Sequence, residues 1–99
     1  MPVLHIDLRD GFNHDDVILY LGDRVADRRS GVTTDLTISH AASLEVQAPP
    51  GPSTLRIEVP KQHVSSSTDV DPAETPFVAI FLRDRQISFH KLKEAMPML

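Results

Sequence analysis

The chain contains no cysteine and no tryptophan, and its aromatic side chains are four Phe and one Tyr. Without cysteine there can be no disulfide framework, no thiolate metal site and no cysteine nucleophile. Few rings also mean few platforms on which the face of a sugar could stack. The absences therefore exclude several classes of secreted scaffold, zinc domain and thiol enzyme.

Long apolar runs are also missing from the 99 residues. No stretch approaches the ~20 apolar residues that a helix needs to cross a bilayer. Residues 1–9 alternate apolar and charged side chains, whereas a secretory signal has a cationic start followed by an apolar run. We therefore expect a soluble, cytoplasmic protein with no membrane span.

The charge balance is acidic, with 14 acidic and 10 basic residues and a formal net charge of −4. A protein that binds nucleic acid needs cations to neutralise phosphates. The densest basic segment, Arg24 to Arg29, is interrupted by Asp27 and preceded by Asp23. The sequence thus predicts no nucleic-acid partner.

Alternation of apolar and polar residues with period two is the strongest pattern, and it is typical of half-buried strands. Turn residues such as Pro49-Pro50-Gly51-Pro52 separate the alternating segments, because three prolines in so short a stretch cannot hold a strand ladder. We predict an edge strand or loop over 24–30 and strands over residues 3–9, 17–21, 35–39, 43–48, 54–59, 62–70 and 77–82, followed by a closing strand that contains Ile87 and Phe89.

This spacing predicts an all-β fold. We expect an antiparallel β-sandwich of about seven short strands, immunoglobulin-like or transthyretin-like, as a single domain over residues 1–90. Residues 91–99 are predicted to form a short C-terminal tail, because a helix of this length is marginal in water. Residues 62–70 are expected at a sheet edge and residues 77–82 at its centre.

Three segments resemble a known family. Residues 17–23 read as an apolar strand that ends in a glycine turn, residues 48–59 as a Pro-Gly turn before an alternating strand, and residues 75–82 as a closing apolar strand. Together they resemble the transthyretin-like and PEGA-type β-sandwich modules of bacteria, over about residues 16–83. Leu21-Gly22 replaces the family's Asn-Gly, and no Tyr follows Gly51. The resemblance implies a non-catalytic bacterial module that mediates contacts, and it transfers no functional residues.

Two groups of side chains have types that could bind a metal. His5 and His90 point outward from the first and last predicted strands, and they could share a metal if those strands were neighbours. Calcium prefers oxygen ligands, but the oxygen-rich loop lacks the EF-hand spacing, so its members equally suit turn formation. This loop contains Asp10, Asn13, Asp15 and Asp16. We expect no metal site and no cofactor.

Sequence motifs of catalysis are absent. There is no nucleophile elbow of the G-x-S-x-G type, no HExxH motif and no glycine-rich phosphate loop, since the four glycines are scattered singly. Ser39 and His40 are adjacent, but a catalytic pair depends on geometry rather than on adjacency. We predict that the chain is not an enzyme.

The most informative feature is a pair of strands that are apolar on both faces, residues 17–21 and 77–82. In a two-layer sandwich only one face of each strand meets the core. We therefore predict a second apolar face that binds protein, either a partner or a second copy in a homodimer, through a sheet face or edge. Its predicted residues are Ile18, Tyr20, Val78 and Ile80, bordered by Arg56 and Glu58.

The alternative function is a carbohydrate- or calcium-binding β-sandwich module. Sugar binding would need exposed rings. Because Phe77, Phe81 and Phe89 are expected in the core, only Phe12 and Tyr20 remain for this role. The sequence therefore favours protein binding.

Overall fold

The computed structural model of the protein describes residues 2–35, 37 and 41–93. Within these residues the chain forms eight strands and one turn of 3₁₀ helix at Pro60–Gln62. The strands are β1 Val3–Leu8, β2 Asp15–Leu21, β3 Arg24–Val32, β4 Ala42–Gln47, β5 Ser53–Val59, β6 Val64–Val70, β7 Phe77–Arg83 and β8 Gln86–Leu92.

The strands form two four-stranded sheets. Sheet A has the order β4-β1-β7-β8, and sheet B has the order β3-β2-β5-β6. Among the described residues, strand pairs are antiparallel except β1 and β7, which run parallel. The predicted all-β sandwich is confirmed, with eight strands rather than about seven and with one parallel pair.

Most predicted strands lie where the alternation placed them. β6 is an edge strand and β7 an interior one, as expected, and residues 24–30 form the edge strand β3. The strand predicted over 35–39 is not seen: Asp35 forms an isolated bridge, Thr37 lies in a turn, and residues 36 and 38–40 are outside the described part.

The C-terminal boundary differs slightly from the predicted one. β8 continues to Leu92, so residues 91 and 92 belong to sheet A rather than to a tail. Residues 94–99 of the predicted tail lie outside the described residues. In the described part of the chain, no helix has the length and apolar composition that a bilayer crossing requires.

The core lies between the two sheets and is filled by alternate side chains from both. Each fully buried Val, Leu or Ile stabilises the fold by about 1.5–3 kcal/mol relative to an exposed one. The largest fully buried side chains are Leu4, Ile6, Leu8, Val17, Leu19, Leu44, Leu55, Ile57, Val59, Val78, Ile80 and Leu82.

Strand β7 faces the core with the opposite side to the one predicted. Val78 and Ile80 are 1% and 0% exposed and pack in the core with Leu82. Phe77 and Phe81 are half-buried and point to the outer side of sheet A. The predictions that Val78 and Ile80 lie on an accessible face and that these two phenylalanines lie in the core are therefore wrong. A run of six apolar residues does not itself indicate which alternate set turns inward.

The turn between β1 and β2 is fastened to β7 at close range. The Leu82 N–H donates to the Asp10 carbonyl at 2.9 Å. Gly11 has φ of +93°, and a Cβ added there would lie 1.6 Å from the Leu82 carbonyl oxygen. Only glycine fits at this contact, because any side chain would meet backbone that is itself held in the ladder.

The same turn contains a buried hydrogen-bond network around Thr34, which is 8% exposed. The Thr34 hydroxyl accepts from the Phe12 N–H at 3.1 Å and donates to the Arg9 carbonyl, and its own N–H donates to the Phe12 carbonyl at 2.8 Å. Buried backbone groups need such partners, since leaving one unpaired is costly. The network joins the connection between β1 and β2 to the segment that follows β3.

We predict that Gly11→Ala lowers the free energy of unfolding by about 3 kcal/mol or more, because the new methyl group must displace the β7 backbone. Gly22→Ala is the matched control: Gly22 also has positive φ, +62°, but has open space around its Cβ position. Its expected cost is only about 1 kcal/mol, the cost of left-handed backbone. Urea unfolding of both variants measures the difference, and equal losses would contradict the close contact.

Candidate binding surfaces

The two strands that are apolar on both faces, β2 and β7, lie in opposite sheets. Their outward side chains therefore cannot form the single apolar face that the sequence predicted. The structure instead has two separate outer surfaces. We call the outer surface of sheet A face A and that of sheet B face B.

Face A has an apolar, aromatic centre. Its interior strand β7 points three side chains outward, those of Phe77, Ala79 and Phe81. Ala79 lies between the two rings and is only 2% exposed. Because β1 pairs with β7 in register, His5 lies beside Phe77, and their rings stack at 4.7 Å between centroids and 16° between planes. The Phe81 ring meets the edge of the His90 ring, 4.9 Å away and at 68°. Each phenylalanine is thus held in place by a histidine from an adjacent strand.

Charged groups lie on both sides of the apolar strip of face A, and Asp7 lies on the interior strand β1 beside Ala79. His5 Nδ1 is 3.5 Å from Glu45 Oε1 on β4, and Ser43 Oγ donates to Asp7 Oδ1 at 2.8 Å. At the far end of β7, Arg83 Nη2 is 2.8 Å from Asp10 Oδ2. Glu45 and Asp7 therefore lie on the β4–β1 side, whereas Arg83 lies at the opposite corner with Asp10 as its partner.

Face B collects four of the six predicted interface residues. Ile18 and Tyr20 point outward from β2, and register places Glu58 and Arg56 of β5 directly beside them. The Arg56 guanidinium carbon is 4.0 Å from the centre of the Tyr20 ring, and Arg56 Nη1 is 3.0 Å from Glu58 Oε1. On the other side of Tyr20 lies Val25, which is 44% exposed. The ring on face B is thus covered by the chain's own guanidinium group.

His5 and His90 do point outward on the same face, but their strands are not neighbours. β7 lies between β1 and β8, and each imidazole contacts a phenylalanine ring. The condition for a shared metal, adjacent first and last strands, is not met. In the part of the chain that the structure describes, no three His, Asp or Glu side chains are grouped closely enough to hold a metal ion.

The oxygen-rich loop over residues 10–16 is used by the fold. Asp15 is 2% exposed, and its Oδ2 accepts from the Asn13 N–H at 2.9 Å and from Gln62 Nε2 at 2.7 Å. Asp10 pairs with Arg83 at the other side of the loop. These two carboxylates point to different protein partners rather than to one common centre, which is the turn-forming role that the sequence left open.

Sequence reasoning missed Phe77 and Phe81 as surface residues, although it placed His5 and His90 on outward positions. The available signal was the set Phe77, Ala79 and Phe81 at every second position of the strand. A small alanine side chain fits between two rings that point to the same side. To predict that His5 stacks on Phe77, one would also need to know that β1 pairs with β7, and the local sequence pattern does not specify that pairing.

No family model matches the chain, and neither a curated protein nor a solved structure matches it significantly. The transthyretin-like resemblance therefore stays a prediction. The case for function rests on the geometry of the two faces and of the sheet edges.

We predict that Asp15→Ala lowers the free energy of unfolding by about 2 kcal/mol, because it leaves the Asn13 N–H and the Gln62 amide without their buried acceptor. Asp16→Ala removes the carboxylate of the next residue along β2, which is half-buried. It is expected to change stability by only about 0.5 kcal/mol. Thermal and urea unfolding compare the two, and a larger loss for Asp16→Ala would show that the carboxylate roles are misassigned.

Added calcium tests the remaining alternative for this loop. Because Asp10 and Asp15 already have protein partners, we expect millimolar calcium to leave the Tm unchanged relative to magnesium. A ligand that binds the native state raises its apparent stability in proportion to ln(1 + [L]/Kd). A rise in Tm with calcium alone would therefore show that the loop binds the ion.

Proposed function

We propose that the protein is a non-catalytic assembly module that binds a second copy of itself through face A. The observation that supports this most strongly is that Phe77 and Phe81 point outward from an interior strand of a folded sheet. Interior strands of two-layer sandwiches ordinarily place polar residues on their outer side. Two half-buried rings in that position support a surface that is covered in the functional state.

The composition of face A favours a protein partner. Aromatic residues are enriched at the centres of interfaces, whereas charged residues are depleted there and collect at the rim. Face A has rings along β7 and the charges of Glu45 and Arg83 at its margins, while Asp7 lies on the interior strand β1 beside Ala79. Its rings are also held by His5 and His90, so that burying them costs little side-chain entropy.

A second copy is the favoured occupant because the apolar strip along β7 can pair with itself. A two-fold axis in the plane of the interface can set Phe77, Ala79 and Phe81 of one copy against those of the other, while Arg83 keeps its pair with Asp10. Two-fold dimers are the commonest closed assemblies. The molecule measures 33 × 29 × 19 Å, so its broad face suffices for the roughly 800 Å² that each partner contributes to a standard interface.

Face B is the weaker candidate, although it brings Ile18, Tyr20, Arg56 and Glu58 together as predicted. A partner at Tyr20 would have to displace or bury the Arg56 guanidinium, which is also paired with Glu58. Burying an ion pair costs desolvation that the attraction between its members does not reliably offset. Face A also has an ion-paired guanidinium, Arg83 with Asp10, but its carbon is 5.9 Å from the centre of the Phe81 ring, against 4.0 Å for Arg56 and Tyr20. The rings of face A are therefore less covered by the chain's own cations, so we assign the main interface to face A and keep face B as a secondary surface.

Three predictions from the sequence agree with this proposal and stay predictions: the family resemblance, the absence of a nucleic-acid partner and the cellular location. The transthyretin-like resemblance implies a contact-mediating module, and the net charge of −4 disfavours nucleic acid as a partner. The cytoplasmic location stays a prediction from the sequence.

Carbohydrate binding is the second candidate, and one observation supports it. With Phe77 and Phe81 outward, face A has the rings that the sequence had assigned to the core, and sugar faces stack on exposed rings. The two candidates differ in the state of the protein alone, since a sugar-binding face A would be exposed in a monomer.

We predict that the wild-type chain is a dimer by light scattering after size-exclusion chromatography and that Phe81→Lys is a monomer. The lysine places a charge at the centre of the apolar face, where it would be buried without a partner. Tyr20→Lys is the matched control on face B and is expected to leave the mass of the dimer unchanged.

We expect both variants to fold, because both positions are half-buried and point away from the core. Circular dichroism and urea unfolding check this. A wild-type monomer at all concentrations would contradict the proposal. Dissociation by Tyr20→Lys with Phe81→Lys still dimeric would place the interface on face B instead.

A further inference from the structure

Face A contains two histidines, and each one contacts a ring of the apolar strip formed by Phe77, Ala79 and Phe81. The His5 ring stacks on Phe77, with 4.7 Å between centroids and 16° between planes. The His90 ring meets Phe81 at 4.9 Å and 68°. Histidine is the side chain that ordinarily gains a charge between pH 8 and pH 5. The rings that the assembly function requires to be buried therefore have a titratable neighbour on each side of β7.

Strand register places both imidazoles inside the area that a second copy would cover. His5 lies opposite Phe77 of β7, and His90 lies opposite Ala79 of the same strand. A standard interface of roughly 800 Å² per partner is about 30 Å across, which is several strands wide. A second copy centred on the apolar strip must therefore also cover the imidazoles beside it.

The charges around His5 are acidic. On β4, Glu45 Oε1 lies 3.5 Å from His5 Nδ1, and along β1 the next side chain on the same side of the sheet is that of Asp7. On β7, its contact is Phe77, which has no charge. Because Glu45 and Asp7 belong to the same chain, they partly offset the charge of a protonated His5 in monomer and dimer alike.

His90 lacks this compensation. Its contact on β7 is the uncharged Phe81, and the carbon of the Arg83 guanidinium lies 5.9 Å from the centre of the same ring. The carboxylate at this corner, Asp10, is already paired with Arg83. Within the described residues, no carboxylate forms an ion pair with His90.

The remaining charged neighbours of His90 lie further away or point elsewhere. Asp7 is in the same row of sheet A, but it is two strands away, on the other side of Ala79. Lys91 follows His90 in the chain, and its Nζ donates to a carbonyl of β6, in the other sheet. A proton on His90 therefore adds a charge that its surroundings do not neutralise.

The monomer and the dimer differ in how they tolerate these charges. In the single chain, 37% of the His5 side chain is exposed and His90 is exposed, so water can solvate both imidazolium groups. In a dimer through face A that water is removed, and burying a charge without a partner is costly. The dimer therefore holds fewer protons than two separate chains at the same pH. By linkage, lowering the pH shifts the equilibrium toward the monomer.

We infer that face A is a pH-dependent interface. His5 and His90 are neutral in the dimer and hold the rings of Phe77 and Phe81 in place, and their protonation at acid pH releases the second copy. His90 contributes the larger part, because Glu45 partly offsets the charge of His5. This inference rests on the proposed assembly through face A and adds its regulation.

The dissociation constant of the full chain, measured by sedimentation at pH 7.5, 6.5 and 5.5 and at constant ionic strength, is the first test. Asp and Glu ordinarily stay charged over this range. We expect the Kd to rise at least about tenfold from pH 7.5 to pH 5.5, and to recover when the pH is raised. Circular dichroism at each pH checks that the chain is folded.

The outcomes separate the regulation from the assembly itself. A dimer with the same Kd at all three pH values, or a Kd that falls on acidification, would overturn the inference and leave assembly through face A intact. A monomer at every pH would overturn the proposed function, and the regulation with it.

Variants that cannot become charged identify the histidines responsible. His90→Gln is expected to remove the larger share of the pH dependence, His5→Gln a smaller share, and the double variant nearly all of it. His63→Asn is the matched control: His63 lies outside face A at the end of the 3₁₀ turn, with φ of +55°, a backbone conformation that Asn tolerates. It should keep the full pH dependence. A double variant that still dissociates on acidification as the wild type does would overturn the inference.

The imidazole C–H signals of the wild-type chain give a test that needs no substitution. At about pH 6, dilution from mostly dimer to mostly monomer should move the signals of His5 and His90 toward their protonated positions. The signals of His63 should stay unmoved. Signals of His5 and His90 that ignore dilution while the mass falls by half would overturn the inference, even if the double variant failed to dimerise.

Discussion

The core of this sandwich is a single layer in which side chains from both sheets meet, and each strand can send only every second side chain into it. For most strands this suits the sequence, because apolar and polar residues alternate. For β2 and β7 it does not, because both faces of these strands are apolar. The topology places the two strands in opposite sheets, and this leaves one apolar strip on each outer surface. The main functional proposal follows from this consequence of packing.

The loops serve a different purpose. Gly11 allows the β1–β2 turn to contact the Leu82 carbonyl, Thr34 links that turn to the end of β3, and Asp15 is bonded to Gln62 at the 3₁₀ turn. The polar side chains that the sequence offered as possible metal ligands therefore stabilise the connections between strands. The aromatic side chains that remain for recognition in the described part of the chain lie on the outer faces of the two sheets.

The sequence predicted the fold class and most strands, because period-two alternation is a local property that survives in any sandwich. It also placed Ile18 and Tyr20 correctly on the outer side of β2. It failed on Val78, Ile80, Phe77 and Phe81, because a continuous apolar run has no alternation from which to read the inward set. The contact of His5 with Phe77 depends on which strands become neighbours, and the pairing of distant segments is not encoded in either segment alone.

The central claim, that the outward rings of β7 are buried against a second copy, is tested most directly by cross-saturation NMR. Deuterated, ¹⁵N-labelled chain is mixed with unlabelled chain, and saturation of the protons in the unlabelled copy is transferred only to amides at the interface. The account predicts attenuation of the amide signals of Phe77, Ala79 and Phe81 on β7, with those of Ile18 and Tyr20 unaffected. Attenuation centred on β2, or none at either strand, would contradict it.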